Sequence, residues 1–380
     1  MFGVSDFIGD WRLAVLAGII CLLAGLMAVC LFHRARGRGR ATLHALVVGG
    51  ILLAATIAAG TGWIIFDLRD RDLAATDREL KNLAFAMAEQ TDRAFQALES
   101  IEVALIERMQ ARGIASAADY ERQMSGHDIH LLLKDKVGGM PYVGTLTLFS
   151  AEGRLFNFSR FWPIPNIDVT DRDFFSVLKF NNKLTSFMGQ PVRNRATGTW
   201  TIHIARRFSG PSGEFFGLVS GGMEMEYFEQ SFAAVAAGTD SSIALVRDDG
   251  VLLARHPHLD PATVRSSAQK RTYREIVSQT GKGTQTASLD GEEEHLVYSQ
   301  KLAHYPFVIM AATPLAVALA DWRREADILI GAAILLVLSI GGLVFFGARQ
   351  LASGAPTQGE PSEAERLAAL GQLSLPFPAP

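Results

Sequence analysis

The sequence predicts an α+β protein held in a membrane, with modules of helix and antiparallel sheet hung on one long helix and flanked by apolar spans. Three observations carry this. Leu13 to Phe32, Ala41 to Phe66 and Ile328 to Ala348 contain no Asp, Glu, Lys or Arg. Asp67 to Arg112 contains neither Gly nor Pro, and a hairpin-then-helix pattern occurs twice, about a hundred residues apart.

The apolar windows come first in the chain. They hold 20, 26 and 21 residues, and a helix needs about 20 apolar residues to cross roughly 30 Å of hydrocarbon. We therefore expect transmembrane helices over about 12–33, 43–66 and 327–349 in a multi-pass protein of a lipid bilayer, which excludes a simple cytoplasmic enzyme. Of the 380 residues, 49% are hydrophobic and 20% charged, and mean hydropathy is +0.18. Basic and acidic residues number 36 and 39, giving a net charge of −3 and no basic domain for nucleic acid. Residues 34–40 hold four arginines in a short loop, which places that loop in the cytoplasm, residues 67–326 outside and the tail from 350 to 380 inside. A signal peptide is the competing reading of the first window. That run is longer than an h-region, and arginines stand where a cleavage site would be. Cys21 and Cys30 both lie in the first window, so the extramembrane part has no disulfide.

The Gly- and Pro-free stretch predicts one amphipathic helix over 67–112, about 46 residues or roughly 70 Å long at 1.5 Å per residue. Two shorter helices are the alternative. Its apolar series Leu73, Leu80, Met87, Ala94, Ile101, with Leu98 and Leu105 alongside, permits either a dimer contact or packing on its own domain. After the polar stretch with Gly138-Gly139, Val143 to Phe149 and Arg154 to Ser159 form a hairpin, followed by a helix at Asp171 to Phe180 and strands at Trp200 to Arg207 and Phe215 to Met223. The pattern recurs with Ser242 to Val246 and Val251 to Arg255, a helix at Pro261 to Thr280, and strands at Thr284 to Leu289, His295 to Leu302 and Phe307 to Ala312. Two α/β modules result, about 113–235 and 236–313.

Over roughly Leu68 to Ala326 the sequence resembles the double Cache sensor domain of bacterial transmembrane receptors. The resemblance lies in an ordered set of segments: Asp171-Arg172-Asp173-Phe174-Phe175, Gly189-Gln190-Pro191-Val192, Thr197 to Ile202, and Gly213 to Val219 leading to Glu224-Met225-Glu226-Tyr227-Phe228. It implies an extracytoplasmic pair of PAS-like modules in the bacterial plasma membrane, working as a homodimer, with a small-molecule pocket in the membrane-distal module. In amino-acid-binding members an Arg, with Trp and Tyr two and three residues on, holds the ligand carboxylate, and an acid after the last strand holds the ammonium. The matching positions here are Arg172, Phe174, Phe175 and Glu224, with Ile167 where an upstream Tyr would stand. A guanidinium suits a carboxylate because its planar fork donates two parallel hydrogen bonds. Phenyl rings in place of the polar aromatics point to a small organic anion, such as a carboxylate, or a more apolar ligand. Gln190, Trp200 and His203 lie on segments that the resemblance places around the same pocket. Pairing of Arg172 with Asp168 or Asp171 is the structural alternative, and Arg160 and Trp162 are read as a loop anchor.

Other motifs carry no chemistry. There is no P-loop, G-x-S-x-G or C-x-x-C, and no cofactor is expected. Gly281 to Thr284 reads as a turn, His127/His130 and His256/His258 as structural or exposed, and Asp290 to Glu294 as an acidic turn. In the tail, Ser353 to Pro361 is a linker, and Ser362 to Leu373 resembles the start of the dimerisation helix of sensor histidine kinases. That family's phosphoacceptor histidine follows within a turn or two, whereas here Ser374 to Pro380 contains three prolines and the last histidine is His304. The sequence therefore reads as the sensor half of a two-component histidine kinase whose frame shifted or stopped before its catalytic region. Alternatives are a receptor of natural length, an input domain of a diguanylate cyclase or chemoreceptor, and a ligand-binding membrane module.

Overall fold

The computed structural model describes residues 38–236, 240–258, 267–289 and 293–353. The window 13–32, both cysteines and the tail from 354 lie outside them. The chain divides into two compact units, one of residues 1–72 with 320–380 and one of residues 73–319.

In the first unit, the described residues hold two helices apolar and long enough to cross a membrane, at the expected second and third spans; the first expected span lies outside the described residues. The first helix, α1, runs from Arg38 to Ala111 and takes in the expected second span and the long helix without a break. Arg38 to Arg40 are its first residues, which corrects their reading as loop: arginine is a good helix former and no proline stops the helix there. The last helix, α7 (Ala320–Ser353), begins well before the expected 327. The hydroxyls of Thr56 and Ser339 donate to carbonyls one turn back, of Leu52 and Leu335, satisfying them in apolar surroundings. The Trp322 indole N–H donates to the Ile65 carbonyl at 2.7 Å.

In the second unit, α1 ends at Ala111, and Gly113, with a φ of +72°, follows its C-terminus, where a glycine is suited. Leu80, Met87, Ala94, Leu98 and Leu105 are buried in their own domain, so the apolar series is used within the chain. Two helices follow within the polar stretch, α2 (Ala117–Met124) and α3 (His127–Val137), which the sequence does not predict. The Ser116 side chain caps the first by accepting the Asp119 N–H.

Among the described residues the strands form two antiparallel sheets. The first holds β1 (Val143–Ser150), β2 (Leu155–Phe158), β3 (Ser186–Met188), β4 (Val192–Arg193), β5 (Trp200–Ser209) and β6 (Phe215–Glu224). Its order is β2-β1-β6-β5-β3, with β4 also on β5. Helix α4 (Asp173–Phe180) starts two residues later than expected, since Arg172 is extended and its N–H turns back to the Val169 carbonyl. Helix α5 (Met225–Ala236) joins the sheets and buries Met225, Phe228, Phe232 and Ala236 along one face. The second sheet holds β7 (Ser242–Arg247), β8 (Leu252–His256), β9 (Gln285–Ser288), β10 (Glu294–Lys301) and β11 (Phe307–Pro314), with α6 (Ser267–Ser278) between β8 and β9. Its order, β8-β7-β11-β10-β9, repeats that of the first. In each, the opening strand lies between its hairpin partner and the closing strand. One core joins α1 to both modules, with Phe95 against Phe228, Tyr305 and Phe307. On β6, Gly217 has a φ of +146°, and a Cβ there would lie 2.2 Å from the Phe149 carbonyl oxygen, so the strand approach requires glycine.

Candidate functional site

Side chains alternate along a strand, and the first sheet uses its two faces differently. On β1, Leu146 and Leu148 pack with the apolar residues of α2 and α3, while Thr147 and Phe149 face a cavity on the other side. On β5, Ile202 and Ile204 join the core around α1, Arg206 reaches Glu99 of α1 at 3.1 Å, and His203 lines the cavity. On β6, the Gly221 N–H donates to Oε1 of Glu102, a wholly buried residue of α1, at 2.7 Å. A single layer of sheet thus separates the cavity from the long helix.

Burial holds the Glu102 carboxyl well above the ordinary carboxylate range, outweighing the Gly221 hydrogen bond and the charge of Arg206. The folded protein keeps a proton that the unfolded chain releases. This contribution to stability is full below pH about 4.5 and is lost as pH rises towards the folded-state pKa. Glu102→Gln keeps an acceptor for Gly221 but cannot ionise. It is expected to flatten the fall of stability above pH 4.5, read by urea unfolding of the chain at several pH values.

The cavity encloses about 30 Å³, room for about two water-sized groups. Its walls are apolar, from Phe149, Leu155, Phe158, Ile167, Val169 and Phe174, and its polar lining is Thr147, Arg172, Asn194, Arg195 and His203. Two segments cover it, the one before α4 and the turn between β4 and β5. Arg195 stitches them together, donating to both carboxylate oxygens of Asp171 at 3.1 and 2.6 Å and to the Asp168 carbonyl. Both side chains of the ion pair are exposed, at 42% and 59%, and such pairs contribute about 0–1 kcal/mol. The ion pair therefore adds little to what holds the cover closed.

Arg172 does not pair with Asp168 or Asp171, because Arg195 occupies the Asp171 carboxylate and the Thr170 N–H and hydroxyl donate to that of Asp168. Its Nη2 donates to the Arg193 carbonyl at 3.2 Å, and among the described residues it has no ion-pair partner. Partial burial, then repulsion from Arg195, lowers the Arg172 pKa, which remains far above neutrality. Two guanidinium groups thus border an apolar cavity, one neutralised and one not. At the sheet, burial and then the charge of Arg172 push the His203 pKa down to about 4, so the ring is neutral near pH 7. The Phe174 ring centre lies 5.3 Å from it.

Of the residues expected around a pocket, the structure brings Arg172, Phe174 and His203 together at the cavity. The other four lie elsewhere. Phe175 turns into the core, edge-on to Phe215 at 5.9 Å. Gln190 is exposed, its N–H held by Asp173. Trp200 lies under the Arg193 guanidinium at 5.9 Å. Glu224 is at the end of β6, with Oε1 buried 3.7 Å from Arg160 and accepting no hydrogen bond. Arg160 also donates to the Gly144 carbonyl, and Trp162 packs on the rings of His127 and His130, the anchoring roles expected of them. Sequence reasoning missed Thr147, Asn194 and Arg195. For Arg195 the available signal was the basic Arg193/Arg195 pair, complementary to the acidic Asp168/Asp171 pair.

Other histidines are engaged structurally, with Nδ1 of His130 2.6 Å from the Phe158 carbonyl and Nδ1 of His258 2.8 Å from Glu229. Gly281 and Gly283 have positive φ in a turn, and Thr284 bonds Asp77. The acidic residues 290–292 lie outside the described residues. Among those described, no group of three His, Cys, Asp or Glu side chains is placed to hold a metal ion.

Residues 225–312, comprising α5 and most of the second module, match the family model dCache_1_like, described as a histidine kinase sensor domain. The cavity residues fall outside that match. Comparison with the curated proteins finds no match. Among solved structures, the chain is similar to the extracellular domain of rpHK1S-Z16, described as a histidine kinase, with TM-score 0.56 and 24% identity over 66% of this chain and 99% of that one. The periplasmic sensory domain of the Campylobacter jejuni chemoreceptor Tlp1 aligns with TM-score 0.52 and 12% identity over 65% and 98%. The ligand-binding domain of the Pseudomonas fluorescens chemoreceptor CtaA, in complex with L-alanine, aligns at 0.45 with 20% identity over 64% and 99%. With two sheets of one strand order on a shared helix, residues 73–319 form a dCache-like sensor domain of two PAS-like α/β modules.

Proposed function

We propose that the chain is a membrane-anchored, extracytoplasmic sensor of a bacterial plasma membrane that binds a small organic anion in the module of residues 113–235. The observation that carries this is Arg172, a partly buried guanidinium with no carboxylate partner among the described residues, at an apolar cavity. A carboxylate supplies the acceptor atoms that Arg172 lacks, and the phenyl and aliphatic walls take up a short carbon chain. Glu224 lines another part of the fold, which favours a plain anion over a zwitterionic amino acid. Ligand closing on Arg172 would bias the position of β5 and β6, and Glu99 and Glu102 tie the opposite face of those strands to α1. The output we assign is of the histidine-kinase type, supported by the resemblance of Ser362 to Leu373 to a dimerisation helix.

The test is thermal unfolding of the full chain in lipid nanodiscs with a panel of two- to five-carbon mono- and dicarboxylates and amino acids. A monocarboxylate at 100 times its Kd is expected to stabilise the sensor by about 2.7 kcal/mol, a rise of several degrees in Tm. No shift with any carboxylate, or a shift confined to zwitterionic amino acids, overturns the reading.

A further inference from the structure

The His203 ring lines the cavity, its residue is only 8% exposed, and its Nε2 makes no hydrogen bond to the described residues. The other ring nitrogen has a partner. Nδ1 lies 3.4 Å from Ser220 Oγ, and the single hydroxyl proton of Ser220 is directed to the Ile204 carbonyl at 3.0 Å. With that proton committed, Ser220 can only accept from the imidazole, so the ring proton sits on Nδ1 and Nε2 carries a lone pair. Burial and the charge of Arg172 keep a second proton off the ring at neutral pH. Neighbouring groups leave this acceptor open: the Thr147 hydroxyl donates to the Ser220 carbonyl at 2.8 Å, and the Phe174 ring has no donor. The site therefore presents positive charge at its cover and a hydrogen-bond acceptor at the sheet.

We propose that the anion bound here also carries a hydrogen-bond donor, as a short hydroxy-carboxylate does, its carboxylate meeting Arg172 and its hydroxyl donating to Nε2 of His203. The inference rests on the anion reading of the same site. An unsubstituted carboxylate would bury the Nε2 lone pair without a partner, whereas a hydroxyl satisfies it, a difference of about 3–10-fold in affinity. The cavity of about 30 Å³ holds about two water-sized groups with its cover closed, so the shortest chains, of two or three carbons, are the appropriate probes, and they seat as the cover opens.

The test is calorimetric titration of the full chain in nanodiscs with propanoate, 2-hydroxypropanoate and 2-methoxypropanoate. The hydroxy acid is expected to bind about 3–10-fold tighter than propanoate, and the methoxy acid, which can accept but not donate, to gain nothing. In His203→Phe the preference for hydroxyl over hydrogen is expected to shrink to within about 2-fold. Equal binding of propanoate and the hydroxy acid, an equal gain from the methoxy group, or a preference that survives His203→Phe overturns the assignment. If His203→Phe does not fold, the three ligands on the unaltered chain decide. Binding of all three through Arg172 without distinction defeats the hydroxyl assignment alone, whereas binding of none defeats the anion reading with it.

Discussion

Phe95→Ala is expected to lower the unfolding free energy of the sensor by about 3–5 kcal/mol, because truncating a fully buried phenyl leaves a cavity that its neighbours only partly fill. Phe95 is 0% exposed, and its ring centre lies 5.8 Å from Phe228, 5.1 Å from Tyr305 and 5.1 Å from Phe307. Those partners come from α5, the β10–β11 turn and β11, so one side chain of the long helix holds the connecting helix and the second sheet. Domains of this kind are stable by about 5–15 kcal/mol, and the loss would approach the lower end of that range. Urea unfolding of the full chain, followed by near-ultraviolet circular dichroism, reads the effect. Phe180→Ala, at a side chain 82% exposed, is expected to change stability by no more than about 0.5 kcal/mol. Similar losses in the two variants would show that α1 is not packed as described.

The repeat of hairpin, helix and strands was legible because a period of two and Gly-rich turns are local signals, and the sheets follow them within a residue or two at most ends, apart from the three- and two-residue strands β3 and β4, too short to show a period. The length of α1 was legible for the same reason: nothing from Asp67 to Arg112 interrupts it. What local pattern did not show was α5, to which no element is assigned from the sequence although Met225, Phe228, Phe232 and Ala236 lie on one helical face. Helices α2 and α3 were hidden by their polar composition.

At the site, the alternation on β5 that sends His203 to one face and Arg206 to the other follows from strand geometry. The partner of Arg172 does not. Asp168 and Asp171 stand close to it in sequence, yet Arg195, brought over by the turn after β4, takes the Asp171 carboxylate, and Thr170 takes that of Asp168. The twin phenylalanines show the same limit, since neighbouring positions point about 100° apart around a helix, which sends Phe174 to the cavity and Phe175 to the core.

The most direct measurement is the affinity of the full chain for propanoate, taken by titration calorimetry on the unaltered protein, Arg172→Ala and Glu224→Gln. Removing the guanidinium deletes a charge-assisted contact worth about 2–5 kcal/mol, so Arg172→Ala is expected to weaken binding about 30-fold or more. Glu224 faces Arg160 and does not line the cavity, so Glu224→Gln is expected to bind within about 2-fold of the unaltered chain. Full affinity in Arg172→Ala, or an equal loss in Glu224→Gln, would contradict an anion site built on Arg172.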